Sequence, residues 1–179
     1  MNRTCAEIVV IAVGNDWRGD DAAAWAALRA LEDRLCARGA KVVAKSPGCT
    51  CVGTAHIRLH LHWMRPDATE LLEAWRGKSW VVILDAAVGR SGAGKIHHWD
   101  DLARTNWGSA ELSSHGLGLA TALSLAQPLG CLPERLEVYA IVGRDFGFGR
   151  GLSAEVEEAA QSLATQLAER WLGKGAFDA

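Results

Sequence analysis

The chain has 179 residues, 49% of them hydrophobic and 22% charged, with a formal net charge of -2. That length suits one domain, spanning 1–179, that buries its core without disulfide staples, and the composition excludes a disordered or fibrous chain. A near-neutral balance without a long Lys/Arg run argues against nucleic acid or an anionic membrane surface as partner, leaving a small molecule or another protein.

In chain order, Glu7 to Val13 is a β-branched run closed by Gly14, the pattern of a strand buried on both faces of a parallel sheet. The run after the N-terminal segment therefore reads as a strand and not as a signal peptide. A loop with two flanking glycines follows, Gly14-Asn15-Asp16-Trp17-Arg18-Gly19. It delivers Asp20 and Asp21 to the start of a helix, with Ala24, Leu28, Leu31 and Leu35 at helical spacing and Gly39 as its stop. Lys41 to Lys45 reads as a short second strand. Ser46-Pro47-Gly48-Cys49-Thr50 is turn chemistry, expected where that strand leaves the sheet.

Residues 52–66, with His56, His60 and His62, carry no readable element. Asp67 to Trp75 suits a helix capped by Asp67 behind Pro66 and ended by Gly77. Trp80-Val81-Val82-Ile83-Leu84-Asp85 repeats the logic of the first strand, an apolar run leading to a carboxylate. Gly92 to Gly94 is a turn, and Lys95 to Trp99 a strand returning along the sheet edge. After a polar loop, Leu112-Ser113-Ser114-His115 leads into a helix over 116–127, stopped by Pro128 and Gly130. Arg135 to Val142 is a further strand, Gly143 to Gly151 a glycine-rich loop with Phe146 and Phe148, and Ser153 to Leu172 an amphipathic helix. Alternating strands and helices predict a three-layer α/β sandwich, a mostly parallel twisted sheet flanked by helices on both faces, of the phosphorylase/hydrolase-like kind. No apolar run approaches the roughly 20 residues of a membrane span.

Such sheets bind ligands beyond the carboxyl ends of their strands. Asp20 and Asp21, Asp85 and His115 fall at such ends or at helix starts. The spacing of Gly14 and Gly19 imitates half of a P-loop, but Asp20 and Asp21 stand where a P-loop has Lys and Ser/Thr, so the loop suits a cation and repels a phosphate. No GxGxxG follows the first strand, which leaves a dinucleotide site unsupported. Each residue also has an ordinary role: Asp20 and Asp21 as helix cap and first-turn charge, Asp85 as acceptor for loop N–H groups, His115 as a capping or packing side chain. Taken together, two carboxylates and an imidazole at one sheet edge form a candidate site for a divalent metal such as zinc or nickel. One of the two carboxylates suffices as the cap, and Asp20, first in the chain, can take that place.

The other motifs read more plainly. His56, His60 and His62 lack a fixed element to present them and are assigned surface or packing roles. His97 and His98 alternate across a strand, so at most one faces inward. The five cysteines, Cys5, Cys36, Cys49, Cys51 and Cys131, include no CxxC pair, which points to a reducing cytoplasm. Without a further soft ligand nearby, Cys49 and Cys51 read as small core residues. Of the eight tryptophans, Trp17 in the carboxylate loop is the one expected to touch a partner.

Gly14-Asn15 with Asp20-Asp21, Asp85-Ala86 closing a strand, Ser113-Ser114-His115 with Leu117-Gly118-Leu119, and Gly151-Leu152-Ser153 before the last helix together resemble the maturation proteases of [NiFe]-hydrogenases, peptidase family M52. The resemblance covers nearly the whole chain in order. It implies a cytoplasmic endopeptidase of aspartic type that removes a C-terminal extension from the nickel-loaded precursor of the hydrogenase large subunit. It also implies that Asp21, Asp85 and His115 are the catalytic and metal-contacting residues, with Asn15, Trp17, Gly48, Cys49 and Thr50 toward the substrate. Nickel would arrive with the substrate, and other divalent metals such as zinc or cadmium could occupy the same ligands. One departure stands out: relatives commonly carry an Asp-Gly-Gly-Thr-like motif where this chain has Pro47-Gly48-Cys49-Thr50. The lost carboxylate motivates an alternative, a non-catalytic metal-binding checkpoint protein for the precursor. A third reading, a metal-dependent amidohydrolase of small molecules, requires an enclosed pocket.

Overall fold

The computed structural model describes residues 5–89, 91–100 and 116–173. Its first β-branched run forms β1 (Ala6–Val13), with every residue from Ile8 to Val13 buried. A strand apolar on both faces must be covered from both sides, and the rest of the chain supplies two layers of helix. A short 3-10 turn, Gly19–Ala22, leads into α1 (Ala23–Ala37). There follow β2 (Lys41–Ser46), β3 (Cys49–Gly53), β4 (Ile57–Met64), α2 (Ala68–Trp75), β5 (Trp80–Val88), β6 (Ile96–Trp99), α3 (Gly116–Ala126), β7 (Arg135–Gly143) and α4 (Ala154–Leu172).

The strands lie in one seven-stranded sheet of order β2-β3-β4-β1-β5-β7-β6. The four inner strands, β4, β1, β5 and β7, run parallel, while β2, β3 and β6 join antiparallel at the two sides. This is the expected three-layer α/β sandwich with a mostly parallel centre. On one face α1 and α4 pack over Ile8, Val10, Leu59, Leu61, Val82 and Leu84. Small residues in the helices, including Ala24, Ala27, Ala160 and Ala164, are buried there. On the other face Leu71 and Trp75 of α2, with Leu119, Ala122 and Leu123 of α3, cover Val9, Ile11, Val13, Val81 and Ile83. Each fully buried Leu, Ile or Val of these layers contributes about 1.5–3 kcal/mol relative to leaving it in water.

Helix α2 starts as its sequence foretells, the Asp67 carboxylate accepting from the N–H groups of Thr69 (2.8 Å) and Glu70 (3.0 Å). β6 lies at the sheet edge, as expected.

The stretch 46–66 departs from expectation twice. The chain does not leave the sheet at Ser46. Pro47 and Gly48 (φ 72°) make a two-residue turn, with Ser46 paired to Cys49, and the chain runs straight back as β3. Proline fixes the second turn position and glycine tolerates the positive φ of the third. Residues 57–64 then form an eight-residue strand paired with β1 along its whole length. Its alternation is plain once seen: Ile57, Leu59 and Leu61 are buried, while Arg58 is exposed and His60 and His62 are half-buried. The two histidines thus have a fixed element to present them, side by side on one face. β2 is exposed throughout, including Val42 and Val43, and its lysines Lys41 and Lys45 mark the free edge of the sheet.

Candidate active site

The acidic loop sits at the carboxyl edge of the inner strands, where β1 ends and α1 begins. The chain folds back tightly: the Asn15 N–H donates to the Asp21 carbonyl (3.3 Å) and the Asp21 N–H to the Arg18 carbonyl (3.0 Å). A Cβ on Gly14 would collide with the Asp21 carbonyl, so only glycine fits where β1 meets the returning loop. Both Asp20 and Asp21 are buried, with no exposed surface.

Their roles are different. Asp20 does not cap the helix that follows it, contrary to expectation. Its carboxylate crosses to the far end of the chain and accepts from the N–H groups of Arg144 (2.7 Å), Asp145 (2.8 Å) and Ser153 (2.6 Å) and from the Ser153 hydroxyl (2.9 Å). Burial pushes this carboxyl up, but the converging N–H and O–H donors outweigh it and hold Asp20 below the ordinary range. It is a fixed anion that clamps the β7–α4 loop and the start of α4 onto the acidic loop.

Asp85 is the opposite case. The last β1–β5 pair is Ala12 with Leu84, so Asp85 lies one step beyond β1 on a part of β5 still paired with β7. The strand continues to Val88, and Asp85 stands inside it rather than at its end. The side chain has no exposed surface; Oδ1 accepts from the Ala86 N–H (2.8 Å), and Oδ2 is buried without a hydrogen-bond partner among the described residues. Burial first, and then the negative charge of Asp21, push its pKa up to about 8 against the single Ala86 N–H. At neutral pH Asp85 therefore holds a proton in this state, and it has a reason to give that proton up to an arriving cation.

His115 lies outside the described residues, as do Ser113, Ser114 and Trp107. Helix α3, which follows it in sequence, packs through Leu119, Ala122 and Leu123 on the sheet face shared by Ile83 and Asp85. Among the described residues no three His, Cys, Asp or Glu side chains are gathered for a metal ion.

The residues expected to meet substrate fall in two places. Asn15 and Trp17 are on the acidic loop, where the Asn15 side chain accepts from the Trp17 N–H (3.0 Å) and the Trp17 ring is 66% exposed. The Trp17 carbonyl accepts from the Gly149 N–H (3.0 Å), and Arg18 stacks 4.9 Å over the exposed Phe148 ring. Two loops far apart in sequence thereby share one rim. Gly48, Cys49 and Thr50 instead line an open groove of about 450 Å³ with Trp25, Arg29, Glu32, Lys45, Ser46 and Trp63. Trp25 stands one helical turn beyond Asp21, and its indole N–H donates to the Met64 carbonyl at the end of β4 (3.2 Å). This groove was not foreseen from sequence, because it requires β3 and β4, which the sequence hides. An open groove is a shape for an extended chain.

A family model described as hydrogenase maturation protease, HycI, matches residues 66–170. Among solved structures, the chain is similar to the hydrogenase maturating endopeptidase HybD from E. coli, at 21% identity and a TM-score of 0.69 over 94% of each chain. It is also similar to the [NiFe] hydrogenase maturation protease HybD from Thermococcus kodakarensis, at 22% identity and a TM-score of 0.64 over 92% of this chain and 97% of that one. No curated protein matches the sequence. At these identities the structural likeness speaks for the fold alone. The family model spans more than half of the chain, and with it the protein belongs to the hydrogenase maturation protease family.

Proposed function

We propose that the protein is the endopeptidase that removes a C-terminal extension from the nickel-loaded large-subunit precursor of a [NiFe]-hydrogenase, with Asp21, Asp85 and His115 engaging the metal that the substrate brings. The observation that carries this reading is the Asp85 carboxyl, buried beside the charge of Asp21 with one oxygen lacking a hydrogen-bond partner among the described residues. Such a group costs stability in an empty site and recovers that cost when a cation arrives. Asp21 and Asp85 with a histidine make a hard-to-borderline donor set that suits a divalent ion. The bound metal supplies Lewis acidity, polarising the scissile carbonyl or acidifying a water. This chain's own residues do the positioning: the clamped acidic loop fixes Asp21, β5 fixes Asp85, and the groove beside Trp25 offers a bed for an extended peptide.

The test is to mix the purified protein with nickel-loaded and nickel-free precursor and weigh the large subunit by mass spectrometry. Shortening only with nickel, lost in Asp85→Asn and in His115→Ala, is the expected result. Full processing by both variants would overturn the site. The alternative, a checkpoint protein that binds without cutting, rests on Pro47 in place of a carboxylate, and a stable complex with no shortened product would favour it.

A further inference from the structure

Two motifs that are separate in sequence become one cluster when β3 pairs with β4. The register sets Cys49 opposite His62 and Cys51 opposite His60. Residues two apart on a strand share a face, and so do directly paired residues on neighbouring strands, with Cβ atoms about 4.5–5.5 Å apart. Both thiols and both imidazoles therefore project from the same face of the sheet, the one that carries Val9 and Ile11, the β1 partners of His60 and His62.

The details favour metal binding over inert packing. Cys49 Sγ lies 3.7 Å from His62 Nε2. A tetrahedral zinc ion with bonds of about 2.3 Å to sulfur and 2.0–2.1 Å to nitrogen holds those atoms about 3.6 Å apart, so this pair stands at the separation of two adjacent ligands. His60 Nε2 is buried and has no hydrogen-bond partner among the described residues, which is costly unless something completes it. Cys49, Cys51 and His60 line an open cavity of about 340 Å³ together with Val43, Ala44, Lys45, Ser46 and Arg58, which admits an ion from solvent. Both thiols are free. A disulfide between them is disfavoured, because residues two apart on a strand have Cα atoms about 6.6 Å apart with parallel Cβ directions, at the limit of disulfide geometry.

We infer that the β3–β4 face holds a second metal site, specific for a thiophilic cation of the zinc class and ligated by Cys49, Cys51, His60 and His62. Cys49 and His62 form the preset half. Cys51 and His60, which already line the cavity, close on the ion by rotation about their side-chain torsions, since no three ligands among the described residues are yet gathered. Binding releases the two thiol protons to solvent, and the resulting thiolates share the cavity with the cations Lys45 and Arg58. The donor set, two sulfurs and two nitrogens, differs in kind from the carboxylates of the acidic site, so the inference stands whether or not the proposed processing activity does.

Titration of the metal-free full-length protein with cobalt(II), followed by displacement with zinc(II), tests it. One equivalent of cobalt should produce an intense thiolate-to-metal charge-transfer band that zinc abolishes, and zinc should raise the melting temperature by mass action. The band should persist in Asp85→Asn and vanish in Cys51→Ser and in His60→Gln, each checked by circular dichroism to be folded without metal; should Cys51→Ser fail that check, His60→Gln decides alone. No thiolate band in the folded wild type, or a band that survives in folded His60→Gln, overturns the site.

Discussion

Asp20 and Asp85 show how little residue type says about charge state. Both are buried aspartates at one sheet edge, yet Asp20 is met by four donors and Asp85 by one. For Asp85 the consequence for stability has a definite sign. Between the ordinary value of 3.8 and about 8, the unfolded chain has released the proton that the folded chain keeps. Stability from this group therefore falls as pH rises through that window, by up to about 1.4 kcal/mol per pH unit. Asp85→Asn, neutral at every pH, should make the metal-free protein more stable at pH 7 by an amount on the order of a few kcal/mol, and flatten the pH dependence of its urea midpoint. The same variant should not process precursor. A variant destabilised at pH 7, with the loss fading as pH falls through the ordinary carboxylate range, would show instead that Asp85 is ionised and paired in the resting protein. The sequence placed Asp21 and Asp85 at one edge because each follows an apolar run that could only be a buried strand. It assigned Asp20 wrongly because its partners, Arg144, Asp145 and Ser153, lie in another part of the chain that no local pattern links to it.

At the scale of elements, β7 and α4 are joined by an ion cluster that no hydrophobic period reveals. Glu137, fully buried on β7, receives both ends of the Arg170 guanidinium from α4 (2.6 and 3.0 Å), Arg135 Nε (2.9 Å) and the Trp80 indole N–H (3.0 Å). Burial pushes the Glu137 carboxyl up, but the bonds and charge of Arg170, aided by Arg135, prevail and hold it below 4.5. Its stabilisation is thus fully present above pH 4.5 and is lost as pH falls through the lower folded value. Glu137→Gln should cost about 1.5–3 kcal/mol in chemical denaturation at pH 7, because it removes charge-assisted hydrogen bonds while the partly exposed guanidinium groups turn to solvent. It should also remove the part of the acid-unfolding curve that Glu137 governs. The elements themselves were legible where one face or both are uniformly apolar, as in β1, β5 and α4. β3 and β4 were not, because Cys49, Thr50, Cys51 and the two histidines occupy positions where a strand pattern is usually read from Val and Ile. Their alternation is carried instead by Val52, Ile57, Leu59 and Leu61.

For the whole molecule, the sheet order puts the groove and the carboxylates on neighbouring parts of one edge, so a peptide lying along β3 and α1 would lead toward Asp21. If the groove grips substrate away from the reacting bond, the exposed cations that line it should affect binding and not chemistry. Arg29→Ala with Lys45→Ala should raise KM for precursor by roughly tenfold, about 1.4 kcal/mol, with kcat little changed. A fall in kcat at constant KM would remove the groove from substrate binding. The Asp20 clamp has a further consequence, for synthesis. Its donors lie 124 to 133 residues downstream, so the acidic loop is pulled into shape only after β7 and the start of α4 have left the ribosome and docked. A nascent or truncated chain lacking that last helix should carry both aspartates on a loose loop. Residues at opposite ends of the described fold thus set one loop together, and the shape of that loop depends on the docking of α4.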